Sequence, residues 1–196
     1  EFNKIWVEKY RPTKLDDVIL DEASLRVVSQ FEEEIPNLLF VGNPGTGKTT
    51  LARIIVNDIL KCNYLYINAS DESGIDTIRH NITNFAQTKS FDGKVKVVIL
   101  DEADGLTGQA QAALRNTMES FAKYCRFILT ANYKHKIIPA LQSRCQSLDL
   151  KPVIDQAVKR CYNILKTEKV NISDEQKKKF VQLVKRFFPD LRKTIN

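Results

Sequence analysis

The sequence predicts an α/β protein, a parallel sheet flanked by helices and followed by a small helical domain. Three observations carry that prediction. Short apolar, β-rich runs alternate with helical patterns through the first 150 residues, as in a parallel sheet covered on both faces. After "LKPV" (150–153) only helical patterns follow. With 196 residues, 43% hydrophobic and 28% charged, the chain can bury a sizeable core and has the composition of a globular protein.

The first strand is "NLLFVG" (37–42), which runs into "NPGTGKTTLA" and a helical pattern at 48–60. Gly42-x-x-x-x-Gly47-Lys48-Thr49 therefore lies between a strand and a helix, the context that makes this spacing a phosphate-binding loop. Glycines let backbone N–H groups turn toward phosphates, and the helix N-terminus adds positive potential. Lys48 would reach the β- and γ-phosphates and the Thr49 hydroxyl would ligate Mg²⁺. Gly45, Thr46, Gly47 and Thr50 complete the expected nucleotide contacts. The second strand is "YLYINA" (64–69), followed by a helix at 75–88. The third, "KVKVVILD" (94–101), delivers Asp101 and Glu102 at its C-terminal end, where open α/β sheets bind ligands. Asp101 is expected at Mg²⁺ and Glu102 at the attacking water. A helix at 107–122 follows, with Leu114 and Met118 spaced as core. "CRFILTAN" (125–132), a short helix at 137–142 and the strand "QSLDL" (146–150) complete the first domain, which ends near Leu150–Lys151. The second domain, 151–196, reads as helices at 153–168 and 173–187 and a third starting at Pro189. That last helix has barely begun at Asn196, so the second domain reads as incomplete.

Composition narrows the partners. The net charge of +6 is uneven: residues 151–196 hold 12 Lys/Arg against 5 Asp/Glu. A basic chain suits a polyanionic partner, though solvated helix faces such as "EQKKKF" explain most of the excess. Cys62, Cys125, Cys145 and Cys161 form neither a zinc spacing nor a disulfide framework, which points to a reducing intracellular compartment. No apolar run is long enough to span a bilayer, and no membrane partner is expected. The N-K-x-D element of GTPases is absent, and residues 60–90 offer only Arg79 where a small-molecule kinase would carry an arginine-rich lid. An adenine-nucleotide hydrolase remains.

"WVEKYRP" (6–12), the Asp-Glu strand, "TAN" (130–132), "SRC" (143–145) and "FPDLRKTIN" (188–196) together resemble the clamp-loader branch of the AAA+ ATPases, including replication factor C small subunits. "NITNFAQTKSFDGKVKVVILDEAD" and "FPDLRKTI" look more similar still to the T-even phage clamp-loader ATPase subunits. The resemblance implies a P-loop AAA+ domain with a helical lid, hydrolysing ATP with Mg²⁺. It also implies a ring-like hetero-oligomer, expected to be a pentamer, that opens a sliding clamp and loads it on primer–template DNA. A collar domain would follow the lid in such proteins. The location implied is intracellular: cytoplasm or nucleoid, a host's cytoplasm for a phage, or a nucleus. By the same resemblance Val7, Glu8, Lys9, Tyr10 and Ile19 grip the adenine, although Trp6 and Tyr10 read equally as an aromatic staple for the N-terminus. Asn132 resembles the amide that senses the γ-phosphate, and Arg192 resembles a lid arginine reaching the same nucleotide, with Pro189-Asp190 where the family often has Gly-Asp.

Arg144 has no carboxylate within five residues on its N-terminal side, and Asp149 is the nearest beyond it. Alone it reads as a surface arginine. The resemblance makes it a residue that points away from its own nucleotide and into a neighbouring subunit's site. For DNA, the helix starts at Ile75 and Thr107, with Arg79 one turn on, resemble backbone-tracking contacts that need no base readout. Arg79 reads equally as a surface charge. Gln111 and Arg115 resemble residues coupling DNA contact to the ATP site. Two other functions compete: a structural subunit that binds nucleotide without hydrolysing it, and another AAA+ motor such as a branch-migration helicase. Intact Lys48, Thr49, Asp101, Glu102 and Asn132 argue against the first; "SRC" and "WVEKYRP" disfavour the second.

Overall fold

The computed structural model describes residues 5–32, 35–71, 74–88 and 93–196. Five strands, β1 (Leu38–Val41), β2 (Tyr64–Asn68), β3 (Lys96–Asp101), β4 (Cys125–Ala131) and β5 (Gln146–Asp149), form one parallel sheet in the order β2-β3-β4-β1-β5. The chain starts in the middle of the sheet at β1, crosses to the far edge at β2, returns through β3 and β4, and finishes at the other edge. Every connection is a crossover, because parallel neighbours cannot be joined by a tight turn.

Strand parity divides the core. Leu38 and Phe40 of β1, Val97 and Ile99 of β3 and Ile128 of β4 face one layer. That layer is covered by α2 (Glu22–Ser29) and α3 (Lys48–Ile54) through Val28, Leu51 and Ile54. Leu39, Val98, Leu100, Phe127 and Leu129 face the other, covered by α4 (Ile75–Gln87) and α5 (Gly108–Ser120) through Ile78, Ile82, Leu114 and Met118. The central strands β1, β3 and β4 are buried on both faces, which is why they read as largely apolar runs, while the edge strand β5 buries only Leu148.

A third cluster forms the helical domain, α7 (Ile154–Thr167), α8 (Asp174–Phe187) and α9 (Leu191–Ile195), around Ala157, Cys161 and Val184. Ile19 of the first domain is buried in this cluster as well. α8 begins with a full capping box, in which the Ser173 side chain and that of Gln176 each bond the other's backbone.

Several boundaries differ from the sequence reading. The helix expected at 48–60 is α-helical only to Ile54 and continues as a π turn, Ile55–Ile59, closed by the Leu60 N–H donating to the Ile55 carbonyl. The helix expected at 137–142 shrinks to α6 (Pro139–Gln142): Ile138 precedes a proline and is extended, and a 3₁₀ turn, Lys134–Lys136, lies before it. The last helix starts at Leu191, capped by the Asp190 carboxylate, with Pro189 outside it. Two helices went unread: α1 (Trp6–Lys9), and α2, whose Asp21 side chain accepts from the Ser24 N–H at 2.6 Å.

Candidate nucleotide site

The same parity that sorts the core builds the site. Tyr66, Asp101 and Thr130 follow, at even spacing, residues that face the α3 layer, and β2, β3 and β4 stand side by side in that order. Their polar ends therefore meet the first turn of α3. Gly47, in the left-handed region at φ 93°, turns the loop into that helix.

Asp101 is buried and richly bonded. The Thr49 hydroxyl lies 2.8 and 2.9 Å from its two oxygens, the Tyr66 hydroxyl donates to Oδ2 at 2.8 Å, and the Thr130 hydroxyl donates to Oδ1. Thr130 also accepts the Glu102 N–H at 3.0 Å, so a single hydroxyl bridges the two acidic residues. Glu102 sits at φ 57°, a left-handed backbone that non-glycine residues rarely adopt, and its side chain is exposed in the cleft. Hard oxygen donors at Thr49 and Asp101, already within hydrogen-bond distance, fit a site for Mg²⁺.

Lys48 is 8% exposed; its Nζ donates to the Gly42 and Asn43 carbonyls at 2.8 and 3.0 Å and to the Asn132 side-chain oxygen at 2.8 Å. Burial lowers its pKa, while Asp101 and Asp104 act in the opposite sense. Tyr66 is pushed up to about 12 by burial and by its bond to Asp101, so it stays a donor through neutral pH. Asp104 accepts the N–H groups of Asn132 and Tyr133, both at 3.1 Å, and pins the loop carrying Asn132.

The cleft has two connected parts, which share Arg11, Gly45, Gly47, Thr50 and Arg192. The polar part, about 260 Å³, adds Lys48, Thr49, Arg53, Tyr66, Asp101, Glu102, Thr130 and Asn132. The apolar part is walled by Val7, Tyr10, Pro12, Val18, Ile19, Leu191 and Ile195, a slot suited to a flat base. The lid closes it from above: the Leu191 N–H donates to the Gly45 carbonyl at 3.0 Å. A Cβ on Gly45 would stand 2.0 Å from the Asp190 carboxylate, so only glycine permits this approach.

Of the residues expected at the base, Val7, Tyr10 and Ile19 line the slot, and Glu8 and Lys9 do not. Glu8 pairs with Arg11, and Lys9 pairs with Glu168 of the lid at 2.6 Å, because both side chains leave α1 on its exposed side. Tyr10 has two roles, since its hydroxyl also donates to Glu168 at 2.7 Å. Thr46 lines the slot with its hydroxyl turned back to the Asn43 carbonyl. Arg192 lines both parts. Arg144 lines neither, and it is not the unpaired guanidinium its sequence neighbourhood suggests: α5 brings Glu119 against it, and the Ala140 carbonyl accepts from it at 3.3 Å.

Ile75, Arg79 and Thr107 also lie outside the cleft. Ile75 opens α4; Arg79 is an exposed residue 3.7 Å from Asp76; the Thr107 hydroxyl caps α5 by accepting the Ala110 N–H at 3.2 Å. Both helices start where β2 and β3 end, on the edge of the sheet that also holds the phosphate loop. Ser73, just before α4, lies outside the described residues.

Gln111 is fully engaged: it donates to the Leu106 and Lys136 carbonyls and accepts the Ile138 N–H at 2.8 Å. It thereby ties α5 to the loop after Asn132. Gln111→Ala is expected to destabilise the chain by roughly 1–3 kcal/mol, because the buried amide's three bonds to half-buried or exposed backbone groups at Leu106, Lys136 and Ile138 are lost. Urea unfolding of the two proteins checks this.

Sequence reasoning missed Arg11, Arg53, Tyr66, Thr130 and Arg160 among the lining residues. Arg53 had a signal, since it lies four residues after Thr49 and hence on the same helix face. Tyr66 and Thr130 had none without the strand register.

A sequence model of the ATPase family associated with various cellular activities (AAA) matches residues 38–153. One of the sliding-clamp-loader large subunit AAA+ ATPase lid domain matches 149–196. The replication factor C small subunit of Archaeoglobus fulgidus is 45% identical, over 98% of this chain and 62% of that protein. Replication factor C subunit 3 of Saccharomyces cerevisiae is 41% identical over 99% and 58%. The chain thus spans about three-fifths of the length of these relatives. Among solved structures, the Thermotoga maritima RuvB Holliday junction branch migration motor superimposes with a TM-score of 0.74 over 95% of this chain and 63% of that one, at 22% identity. At that identity the likeness is one of fold.

Proposed function

The chain belongs to the AAA family of ATPases, and from that premise we propose that it is an ATP-hydrolysing subunit of a sliding-clamp loader. The observation that carries the reading is the convergence in one cleft of Lys48, Thr49, Asp101, Glu102, Asn132 and the lid's Arg192. The base rests in the apolar slot and the triphosphate runs along the P-loop toward Asn132. Mg²⁺, held by Thr49 and Asp101, would neutralise charge on the β- and γ-phosphates. Glu102 takes the proton of the attacking water, with its backbone fixed by Thr130. Asn132 bonds Lys48 and stands beside the γ-phosphate, so the loop it begins is placed to respond to hydrolysis. Arg192 reads the nucleotide from the lid, and Arg144 serves a neighbour's cleft.

The partners in this reading are the other subunits of a ring-like pentamer, a sliding clamp and primer–template DNA, whose backbone meets the starts of α4 and α5 near Ile75, Arg79 and Thr107. The relatives' names and the lid match support it. No helix among the described residues is long and apolar enough to cross a membrane.

The test is ATP turnover by the assembled protein with and without a sliding clamp and primer–template DNA. Stimulation by the two together is expected; turnover indifferent to the clamp refutes the reading. Lys48→Ala should weaken ATP binding about 10- to 100-fold, the loss of charge-assisted bonds to phosphate. Titration with a fluorescent ATP analogue measures it.

A further inference from the structure

Arg53 leaves α3 on the face that carries Thr49, one turn farther from the P-loop, and arginine side chains on helices reach back toward the N-terminus. Its guanidinium lies 4.8 Å from the centre of the Tyr66 ring and lines the polar part of the cleft, not the base slot. Its Nε–H is buried without an acceptor, and no carboxylate among the described residues forms an ion pair with it. Tyr66 cannot pivot away, because its hydroxyl is bonded to Asp101. A cation stacked on a fixed ring, with a buried donor unpaired, lacks an anion.

We propose that Arg53, held on the Tyr66 platform, is a further phosphate-binding residue of this cleft and contacts the γ-phosphate of ATP. The inference rests on the reading of the cleft as an ATP site. The γ end is the one that fits: Arg53 shares its part of the cleft with Asp101, Glu102, Thr130 and Asn132 and has no contact with the base slot. Arg53 therefore discriminates ATP from ADP, with Tyr66 positioning it next to the metal-binding carboxylate.

The experiment is isothermal titration with ATP and with ADP in EDTA, so that neither hydrolysis nor the metal enters the result. Arg53→Met should raise the Kd for ATP about tenfold or more while the Kd for ADP moves less than about threefold, the loss of one charge-assisted contact. Arg53→Lys keeps the charge but not the planar stack and should fall between; if the methionine variant does not fold, the lysine variant carries the same comparison. An unchanged ATP affinity, or equal weakening of ATP and ADP, overturns the proposal. Lys48→Ala separates the two levels: it should weaken both nucleotides. If it weakens neither, the ATP-site reading itself fails, whatever Arg53 does.

Discussion

Glu102→Gln is expected to keep ATP and Mg²⁺ binding and to lose turnover by a factor of about 10²–10⁴, the range a positioned general base supplies. The amide is nearly isosteric with the carboxylate but cannot take a proton from water. The structure favours a clean separation. Glu102 owes its position to its backbone, whose N–H is held by Thr130 at 3.0 Å, and that bond survives the substitution. The Asp101 carboxylate next to it is anchored by Thr49, Tyr66 and Thr130, and none of these bonds involves the Glu102 side chain. A fluorescent-analogue titration beside a phosphate-release assay checks both halves. Equal loss of binding and turnover would remove Glu102 from the role of base.

Arg144→Ala has a still larger expected effect, and only in an oligomer. A guanidinium supplied across an interface to a transferring phosphoryl group accounts for ~10³–10⁵ in rate. Within one chain Arg144 does not line the cleft, so a subunit's own ATP affinity should be nearly unchanged. Its contact with Glu119 does not lock it away: both side chains are about 40% exposed, and such surface pairs contribute ~1 kcal/mol or less. The deciding experiment mixes Arg144→Ala subunits with Glu102→Gln subunits, each nearly inactive alone. Interfaces that join an intact Glu102 to a neighbour's intact Arg144 should restore hydrolysis. If mixed oligomers form and nothing is restored, Arg144 acts within its own chain or is a surface residue.

The legibility of this chain follows the range of the interactions involved. The three central strands, β1, β3 and β4, were readable because they are buried on both faces and so are mostly apolar, whereas the edge strand β5 buries only Leu148 and was marked by its place after a turn. Helix ends were less readable. Pro189 suggested a helix start, yet the start is two residues later, where the Asp190 carboxylate meets the Lys193 N–H. The π turn at Ile55–Ile59 has no local mark in the sequence. Glu8 and Lys9 belong to the right segment, but both leave α1 on its exposed side, Glu8 pairing with Arg11 and Lys9 with Glu168 of the lid.

What the sequence by itself determined was the set of groups whose chemistry depends on near neighbours. A glycine-rich loop between strand and helix makes a phosphate cradle wherever it occurs, since backbone N–H groups and a helix terminus are enough. Two carboxylates at the end of a buried strand emerge at the binding edge of the sheet for a similar reason. Only the tertiary structure decided the pairs that lie far apart in the chain. Tyr66 meets Asp101 because β2 and β3 are parallel neighbours in one register. Arg53 covers that tyrosine because α3 packs on the same face of the sheet. Glu119 reaches Arg144 because α5 lies against the turn around α6. Gly45 admits Asp190 because the lid folds back over the loop. Dihedral preferences and hydrophobic period act over a few residues and can be read along the chain, whereas register and packing bring together residues that no local rule connects.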